Sequence, residues 1–487
     1  MLLVAAALLL TASMHSMGVV EAPAVPVTAP NVVSGAVSSA TTRHVWTVSA
    51  DAGGRAGLDV LARARGTAFL DDLAAADPQV LARADQDGRV LATAQDRPPT
   101  AIEVTTWWAG LGDGTRDRLV ALAPSVVGNM DGVPYDVRDR ANRRTLDAGL
   151  ASATGLASAS GVGADPAADA VDGSGTSVGA SGASGADASS AIARTALLEQ
   201  VRDALHQEPG NGPRSLVVLD TRGTGRAAIA VGDLATARDV TVVVPGMFFT
   251  VTGQMHDFTD TASDLYDEQA SVSSLATGRA EGSGAVLAWM GYRTPDMSNI
   301  LSLGLARTGA DRLERVVDGL DAVREHDRPR LNVVAHSYGS TTALMALASG
   351  RMQADSLTVL GSPGSDVRTA SELAVRAGQV YVGDAHSDPI AGSGYFGTDP
   401  GSPGFGSTVL DLSADAVVPG DGVLRRPVGH NDYLKPGTAS LHDVALIGIG
   451  RGDLVRHQSR RGPDGDGGPR SVPDMYLVRP QDLQPRD

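Results

Sequence analysis

Leu331-Asn-Val-Val-Ala-His-Ser-Tyr-Gly-Ser340 is the stretch that decides the fold of this chain. Its strand-forming residues 331–334 run into a short turn centred on Ser337, and a helical pattern follows at once. A serine hydroxyl reaches the tip of such a turn only if the backbone bends sharply, and bulky side chains two residues before or after it would clash. Ala335 and Gly339 occupy those two positions. The stretch therefore predicts a turn that presents Ser337 as a nucleophile.

Apolar strands alternate with helices on both sides of this turn. Strands are predicted at 216–219, 227–231, 240–244, 285–290, 357–360 and 379–382, and helices at 261–276 and 300–324. This alternation is typical of a parallel sheet that helices cover on both faces. A serine at a strand-to-helix turn of such a sheet is typical of the α/β-hydrolase fold. We therefore expect an α/β-hydrolase domain with a mostly parallel sheet, preceded by an α-helical N-terminal region.

Composition changes along the chain predict five segments. They are a signal-like or anchor segment with a linker at 1–44, a helical N-terminal region at 45–151, a low-complexity flexible insert at 152–191, the α/β-hydrolase domain at 192–450, and a polar, mostly disordered tail at 451–487. The insert has too few large apolar side chains to offset the entropy lost on ordering the chain.

The N-terminus leaves the compartment open. Leu2 to Leu10 form a short apolar run like the core of a signal peptide, but no basic residue precedes it. The run is shorter than the roughly 20 apolar residues of a membrane-spanning helix. A secreted or membrane-anchored protein is therefore as well supported as a cytoplasmic one, and an N-terminal membrane contact stays open.

The composition excludes several classes of function. A net charge of −16 over 487 residues argues against nucleic-acid binding and against a basic membrane-binding surface. The absence of cysteine removes thiolate nucleophiles, disulfides and cysteine-bound metals. Asp464-Gly-Asp466 lacks the ligand spacing of a calcium loop, and the chain has no Walker or HExxH motif. The sequence therefore predicts neither a metal nor an organic cofactor.

A serine nucleophile needs a carboxylate that orients its base, and in this fold the chain order is serine, acid, histidine. The acid should follow the second strand after the turn, which is the strand at 379–382. Asp384 and Asp388 both follow it. We favour Asp388 because Pro389 stiffens its loop, and Asp384 remains the alternative.

The base should be a histidine in a late loop before the last helix. Three histidines follow the acid, namely His430, His442 and His457. His430 lies after Gly429, which permits a close approach of the backbone. His442 falls inside a helical segment and His457 in the polar tail. We therefore predict His430 as the base.

The oxyanion that forms during acyl transfer needs two backbone N–H donors. One comes from the residue after the nucleophile, Tyr338, and the other from the loop after the third strand. That loop begins at Pro245-Gly246, so either Met247 or Phe248 is the predicted second donor.

Taken together, several motifs of the chain resemble the actinobacterial α/β-hydrolases of the DUF1023 family. The matching stretches are Val243-Val-Pro-Gly246, Trp289-Met-Gly-Tyr292 with Pro295, Ala335-His-Ser-Tyr-Gly-Ser340, Gly361-Ser-Pro-Gly364, Val380-Tyr-Val-Gly383, Asp388-Pro-Ile390, Gly429-His430 with Tyr433, Trp107-Trp108, Gly128-Asn-Met-Asp-Gly-Val-Pro134 and Arg138-Asp-Arg-Ala-Asn142. The resemblance covers most of 102–450 and implies a Ser–Asp–His hydrolase behind a helical region. It implies no particular substrate.

The residues thus predict a serine hydrolase that cleaves an ester or other acyl compound through Ser337, His430 and Asp388. Its partner would be a small-molecule or lipid-like acyl substrate. A catalytically inactive α/β-hydrolase-like binding module is the alternative, because a fold does not dictate activity. An acyltransferase would use the same three side chains. The sequence leaves the oligomeric state open.

Overall fold

The computed structural model describes residues 51–159, 185–207, 210–277, 284–413, 416–418 and 422–458. The signal-like segment predicted at 1–44, most of the insert at 152–191 and most of the tail at 451–487 lie outside these residues. Among the helices that are described, none has both the length and the apolar character needed to cross a membrane.

A helical region opens the described chain. It consists of α1 (Asp51–Arg63), α2 (Gly66–Ala75), α3 (Pro78–Ala84), α4 (Gly88–Asp96), α5 (Ala101–Gly110), α6 (Asp113–Leu122), α7 (Pro124–Val127) and α8 (Tyr135–Ala159). Local sequence starts several of these helices. Thr100 and Glu103 form a reciprocal capping box at α5, and the Asp87 side chain accepts the first amides of α4. The region has its own apolar core around Phe69, Leu70 and Leu119.

Helix α9 (Gly185–Ala204) leads into an eight-stranded sheet. The chain then forms β1 (Arg214–Asp220), β2 (Arg226–Gly232), β3 (Asp239–Val244), α10 (Val251–Thr277), β4 (Gly284–Met290), α11 (Gly304–Val323), β5 (Arg330–His336), α12 (Tyr338–Ala348), β6 (Ser356–Leu360), a short 3-10 helix (Ala370–Glu372), β7 (Val380–Gly383), β8 (Thr408–Val409), β9 (Ala416–Val418), β10 (Gly422–Leu424) and α13 (Ala439–Gly448). Strands β9 and β10 pair separately as an antiparallel ribbon.

The strand order in the large sheet is β1-β2-β4-β3-β5-β6-β7-β8. Strand β2 runs antiparallel to both of its neighbours, and every other pairing is parallel. Side chains alternate between the two faces, as they do in any strand. Val242 and Leu287 join the core under α11 and α12, whereas Val243 and Val286 join the core under α10 and α13. The predicted α/β-hydrolase architecture is therefore confirmed, including the helical N-terminal region.

Parallel strands bring their carboxyl ends to one edge of the sheet. Strand β5 lies between β3 and β6, and β7 follows β6. The loops after β3, β5 and β7 therefore meet at this edge, and they carry the predicted oxyanion donors, nucleophile and acid.

Side chains of the helical region hydrogen-bond to the outer edge of β1. Asn129 pairs with both backbone groups of Leu219, at 2.9 Å to the amide and 2.8 Å to the carbonyl. Arg138 Nε donates to the Val217 carbonyl at 3.1 Å, and Asn142 Nδ2 donates to the Leu216 carbonyl at 3.0 Å. The motifs at 128–134 and 138–142 therefore fasten the helical region to the sheet. We call this contact the seam.

The structure describes parts of two segments that were predicted to be flexible or disordered, namely the insert at 152–191 and the tail at 451–487. Helix α8 continues to Ala159 and α9 begins at Gly185, since the alanines at the margins of the insert favour helix. Past residue 450, the Gln458 amide donates to the Val409 carbonyl at 3.0 Å, and Val455 is buried.

Candidate active site

Ser337 occupies the turn between β5 and α12. Its φ of 55° and ψ of −129° place a non-glycine residue in a strained backbone conformation. Close packing explains Gly339, because a Cβ there would lie 2.5 Å from the carbonyl oxygen of Pro245. Ser337 is only 3% exposed, and it lines a cavity of about 530 Å³. The turn thus holds the hydroxyl at the floor of a cavity.

Asp388 and His430 are joined beside this serine. The His430 Nδ1 lies 2.9 and 3.0 Å from the two carboxylate oxygens of Asp388. Asp388 is fully buried and also accepts a hydrogen bond from the Ile390 amide at 2.8 Å. Burial raises the pKa of this carboxyl, but His430 and the donated hydrogen bonds outweigh burial and lower the pKa to about 2. Asp388 is therefore a carboxylate at neutral pH.

His430 and Ser337 line the same cavity. The His430 Nε2 is buried without a hydrogen-bond partner among the described residues, so no hydrogen bond joins it to the Ser337 Oγ. The second ring nitrogen of His430 is therefore free to accept a proton. The hydrogen bond between a catalytic base and its nucleophile is commonly long in the absence of substrate and shortens when substrate binds.

The alternatives to Asp388 and His430 lie in other surroundings. Among the described residues no hydrogen bond joins Asp384 to His430, whose Nδ1 is paired with Asp388, and the Asp384 Oδ1 is buried without a hydrogen-bond partner. His442 Nδ1 lies 2.7 Å from Glu268 Oε1. His457 forms a bridge to Leu410. None of these three side chains lines the cavity with Ser337.

Two side chains outside the predicted triad contact its members. The Tyr433 hydroxyl donates to Asp388 Oδ2 at 2.6 Å and accepts from the Ala385 amide at 2.8 Å. His336 Nε2 lies 2.7 Å from the His430 carbonyl oxygen, and the two rings are 4.5 Å apart. Burial, with His430 beside it, lowers the pKa of His336 to about 3, so its ring is neutral and donates this bond. In the sequence, His336 is a candidate lining residue because it directly precedes Ser337, and Tyr433 belongs to the motif quoted with His430.

The predicted oxyanion donors differ in their availability. Tyr338 begins α12, so its N–H lacks a partner within the helix. The Phe248 N–H already donates to the Pro295 carbonyl at 3.0 Å, and its φ is 63°. Met247 donates no hydrogen bond to any described residue. Of the two predicted alternatives, Met247 is thus the one with a free amide.

The loop that carries Met247 is held tightly. The Tyr292 hydroxyl donates to the Pro245 carbonyl at 2.7 Å, and the Thr294 hydroxyl donates to the Phe249 carbonyl at 2.7 Å. Gly246 faces the nucleophile, because a Cβ there would lie 2.7 Å from the Cβ of Ser337. The serine therefore depends on glycine at this position.

The cavity wall combines apolar and acidic side chains. Its apolar members are Val243, Met247, Phe248, Phe249, Phe258 and Leu434. Helix α10 adds the acids Asp257, Asp260 and Asp264. Lys435, five residues after His430 in the chain, also lines the cavity. Burial and the neighbouring Asp260 raise the pKa of Asp264 to about 6. An apolar substrate with a polar end fits this lining.

Asp384 makes stability depend on pH. Burial, and the nearby carboxylates of Asp399 and Asp388, raise its pKa to about 7. The folded protein therefore binds a proton that the unfolded chain releases near pH 4, so this residue destabilises the fold as pH rises from 4 to 8. We expect Asp384→Asn to be more stable than the wild type at pH 8 by at least about 1 kcal/mol, since each pKa unit corresponds to about 1.4 kcal/mol.

Urea unfolding of both proteins between pH 4 and pH 8 measures this difference. It should shrink as pH falls and be small at pH 4, where the folded carboxyl is protonated and the unfolded one is about half-ionised. The matched control is Asp117→Asn, because Asp117 is exposed on α6. A difference that is constant with pH would contradict the assignment.

The chain matches known proteins along most of its length. The profile described as Alpha/beta hydrolase matches residues 220–398. An uncharacterized protein of Mycobacterium tuberculosis is 32% identical over 73% of this chain and 56% of its own length. An uncharacterized protein of Mycobacterium bovis is 31% identical over 42% of this chain and 79% of its own length. The chain thus spans about half the length of the first of these relatives.

Solved structures resemble the chain at low identity. An ester hydrolase from the metagenome of Lake Arreo aligns with a TM-score of 0.34 and 13% identity, covering 62% of this chain and 98% of that one. An arylesterase aligns with a TM-score of 0.31 and 10% identity, covering 53% and 91%. The profile match and the mycobacterial relatives show that the chain belongs to the alpha/beta hydrolase family.

Proposed function

We propose that the protein is a serine hydrolase that cleaves an ester or other acyl compound through a covalent acyl-enzyme. The hydrogen bond between Asp388 and His430, beside a cavity that Ser337 lines, carries this proposal. We also propose that the chain belongs to the DUF1023 group within its family, on the motifs quoted above.

In the first half of the reaction, Ser337 Oγ attacks the acyl carbon while His430 Nε2 takes the hydroxyl proton. The imidazolium that forms is stabilised by the carboxylate of Asp388, which also keeps the proton of Nδ1 in place. The carbonyl oxygen gains negative charge, and the amides of Tyr338 and Met247 donate to it. His430 then gives its proton to the leaving alcohol as the bond between the acyl carbon and the alcohol oxygen breaks.

In the second half, His430 takes a proton from water as the water attacks the acyl-enzyme. The carboxylic acid leaves, and Ser337 regains its proton from His430. No step needs a metal or an organic cofactor. If an alcohol replaced water in this half, the product would be a new ester, which is the acyltransferase outcome.

The surroundings of Ser337 suit an acyl group with apolar character. Phe249 and Phe258 pack edge to face, with ring centroids 5.4 Å apart, and both line the cavity. A volume of about 530 Å³ falls within the range of small-molecule sites. We therefore propose a small-molecule or lipid-like acyl substrate.

A fluorophosphonate probe tests the proposal, because it forms a stable adduct only with an activated serine. We expect mass spectrometry to find the adduct on Ser337 of the folded protein, and to find none in Ser337→Ala or after heat denaturation. Folded protein that stays unlabelled would contradict the proposal and favour the binding module. Hydrolysis of p-nitrophenyl esters, with and without added alcohol, separates hydrolase from acyltransferase by the product.

A further inference from the structure

A second, much smaller cavity lies at the seam between the helical region and the sheet. Its volume is about 50 Å³, and we call it the seam cavity. Four arginines line it, Arg138 from the helical region and Arg226, Arg312 and Arg315 from the hydrolase domain. The only carboxylate among its lining residues is Asp131. This concentration of positive charge is unusual in a chain whose net charge is −16.

Several guanidinium donors at the seam cavity lack acceptors. Arg138 is 2% exposed, and its Nη2 is buried without a hydrogen-bond partner. The Nη1 of Arg226 is also buried and unpartnered. Arg315 is half-buried, interacts electrostatically with Asp131, and forms no ion pair at 4 Å or less within the described residues. A buried donor left unpaired costs about 1–3 kcal/mol, and more when it is charged.

The protein acceptors around the cavity are already engaged. Asp131 accepts from Arg138 Nη1 at 2.9 Å. The Gln95 side-chain oxygen accepts from Arg226 Nη2 at 3.1 Å, and the Asn129 side-chain oxygen accepts from the Leu219 amide. The free guanidinium donors therefore need an acceptor that the lining residues do not supply.

The charges around the cavity do not balance. Asp96 and Asp220 pair with Arg226 and with two further arginines, Arg222 and Arg312. With Arg138 and Arg315, five guanidinium groups thus face the three carboxylates of Asp96, Asp131 and Asp220. Asp318 acts electrostatically on Asp131 from outside the lining, which still leaves an excess of positive charge.

We propose that the seam cavity binds a small inorganic anion of the size of a halide. Its volume exceeds the roughly 10–15 Å³ that one water molecule needs and is far below the roughly 300–1,000 Å³ of sites for organic ligands. An anion there would accept from Arg138, Arg226 and Arg315 together, and so would bind helix α8, strand β2 and helix α11 to one another. Its role is to fasten the helical region to the sheet, and the proposal does not depend on the reaction at Ser337.

Crystals of the full chain grown in sodium bromide give the direct test. We expect an anomalous bromide peak within hydrogen-bond distance of the guanidinium groups of Arg138 and Arg315. Ordered water alone in the seam cavity would overturn the proposal.

Thermal unfolding gives the test in solution. At constant ionic strength, replacing sodium gluconate by sodium chloride should raise Tm by about 2–4 °C and saturate, as binding to the folded state alone requires. Arg315→Gln should lose most of this shift. Arg307→Gln, an exposed change on the same helix, should keep it. An equal shift in both variants, or no shift in the wild type, would contradict a specific site.

Discussion

Replacing Ser337 by alanine is expected to lower kcat for ester hydrolysis by about 10⁴- to 10⁶-fold. The substitution removes the only hydroxyl that the turn after β5 presents to the cavity beside His430. Binding is expected to persist, because the cavity wall is unchanged, so KM should move far less than kcat. Stopped-flow or endpoint assays with a chromogenic ester measure both constants.

The matched control is Ser349→Ala at the far end of α12. The Ser349 hydroxyl donates to Glu314 at 2.7 Å and lies at the surface. This variant should keep its rate within about twofold, as most surface substitutions away from a site do. Equal losses in the two variants, or a Ser337→Ala protein that is folded and still active, would show that another group attacks the substrate.

Asp388→Asn is expected to lower kcat by about 10⁴-fold. An asparagine amide does not stabilise the imidazolium, and it can hold His430 in the tautomer that is unable to take the serine proton.

The same change should destabilise the fold. Because the folded pKa of Asp388 is about 2, below the ordinary value of 3.8, its ionisation stabilises the protein above pH 4. That contribution is lost as pH falls from 4 towards 2.

Two measurements check this pair of effects. Ester hydrolysis at pH 7 gives the rate, and urea unfolding at pH 7 and pH 3 gives a stability difference that should shrink at the lower pH. Tyr433→Phe is the graded comparison, since it removes one hydrogen bond to Asp388 and leaves the charge. We expect about a tenfold loss of kcat from it. A loss as large as that of Asp388→Asn would show that Tyr433 does more than orient the acid.

The sequence specified the fold because its decisive signals are local. The strand at 331–334, Ala335, Ser337 and Gly339 lie within nine residues of one another. The strained backbone at Ser337 and the close packing at Gly339 are both present in the structure. Alternating apolar strands and helices likewise follow from short-range periodicity. These features need no knowledge of what lies across the sheet.

The finer assignments in the site depend on contacts between distant segments. Asp384 and Asp388 are equivalent by spacing, and only the position of His430, 42 residues after Asp388, separates them. Met247 and Phe248 are neighbours, and the Pro295 carbonyl decides which amide stays free. Such contacts between remote loops leave no periodic trace in the sequence. Their catalytic roles remain predictions.

The extent of helices beside the low-complexity insert shows a different limit. The prediction for 152–191 rests on composition averaged over the whole segment. Helix propensity is set residue by residue, so alanine-rich margins extend α8 to Ala159. The mean composition of the segment therefore does not show that its first residues are helical.

The outer edge of β1 gives the helical region a further consequence. An exposed strand edge is a template for pairing with another chain, and proteins protect such edges from aggregation. Here Asn129, Arg138 and Asn142 take the place that a ninth strand would occupy. A hydrolase domain expressed without the helical region, that is, without roughly the first 150 residues of the chain, would expose this strand edge. Substitutions at Asn129 would thus lower solubility and promote self-association, and they would affect the reaction at Ser337 less.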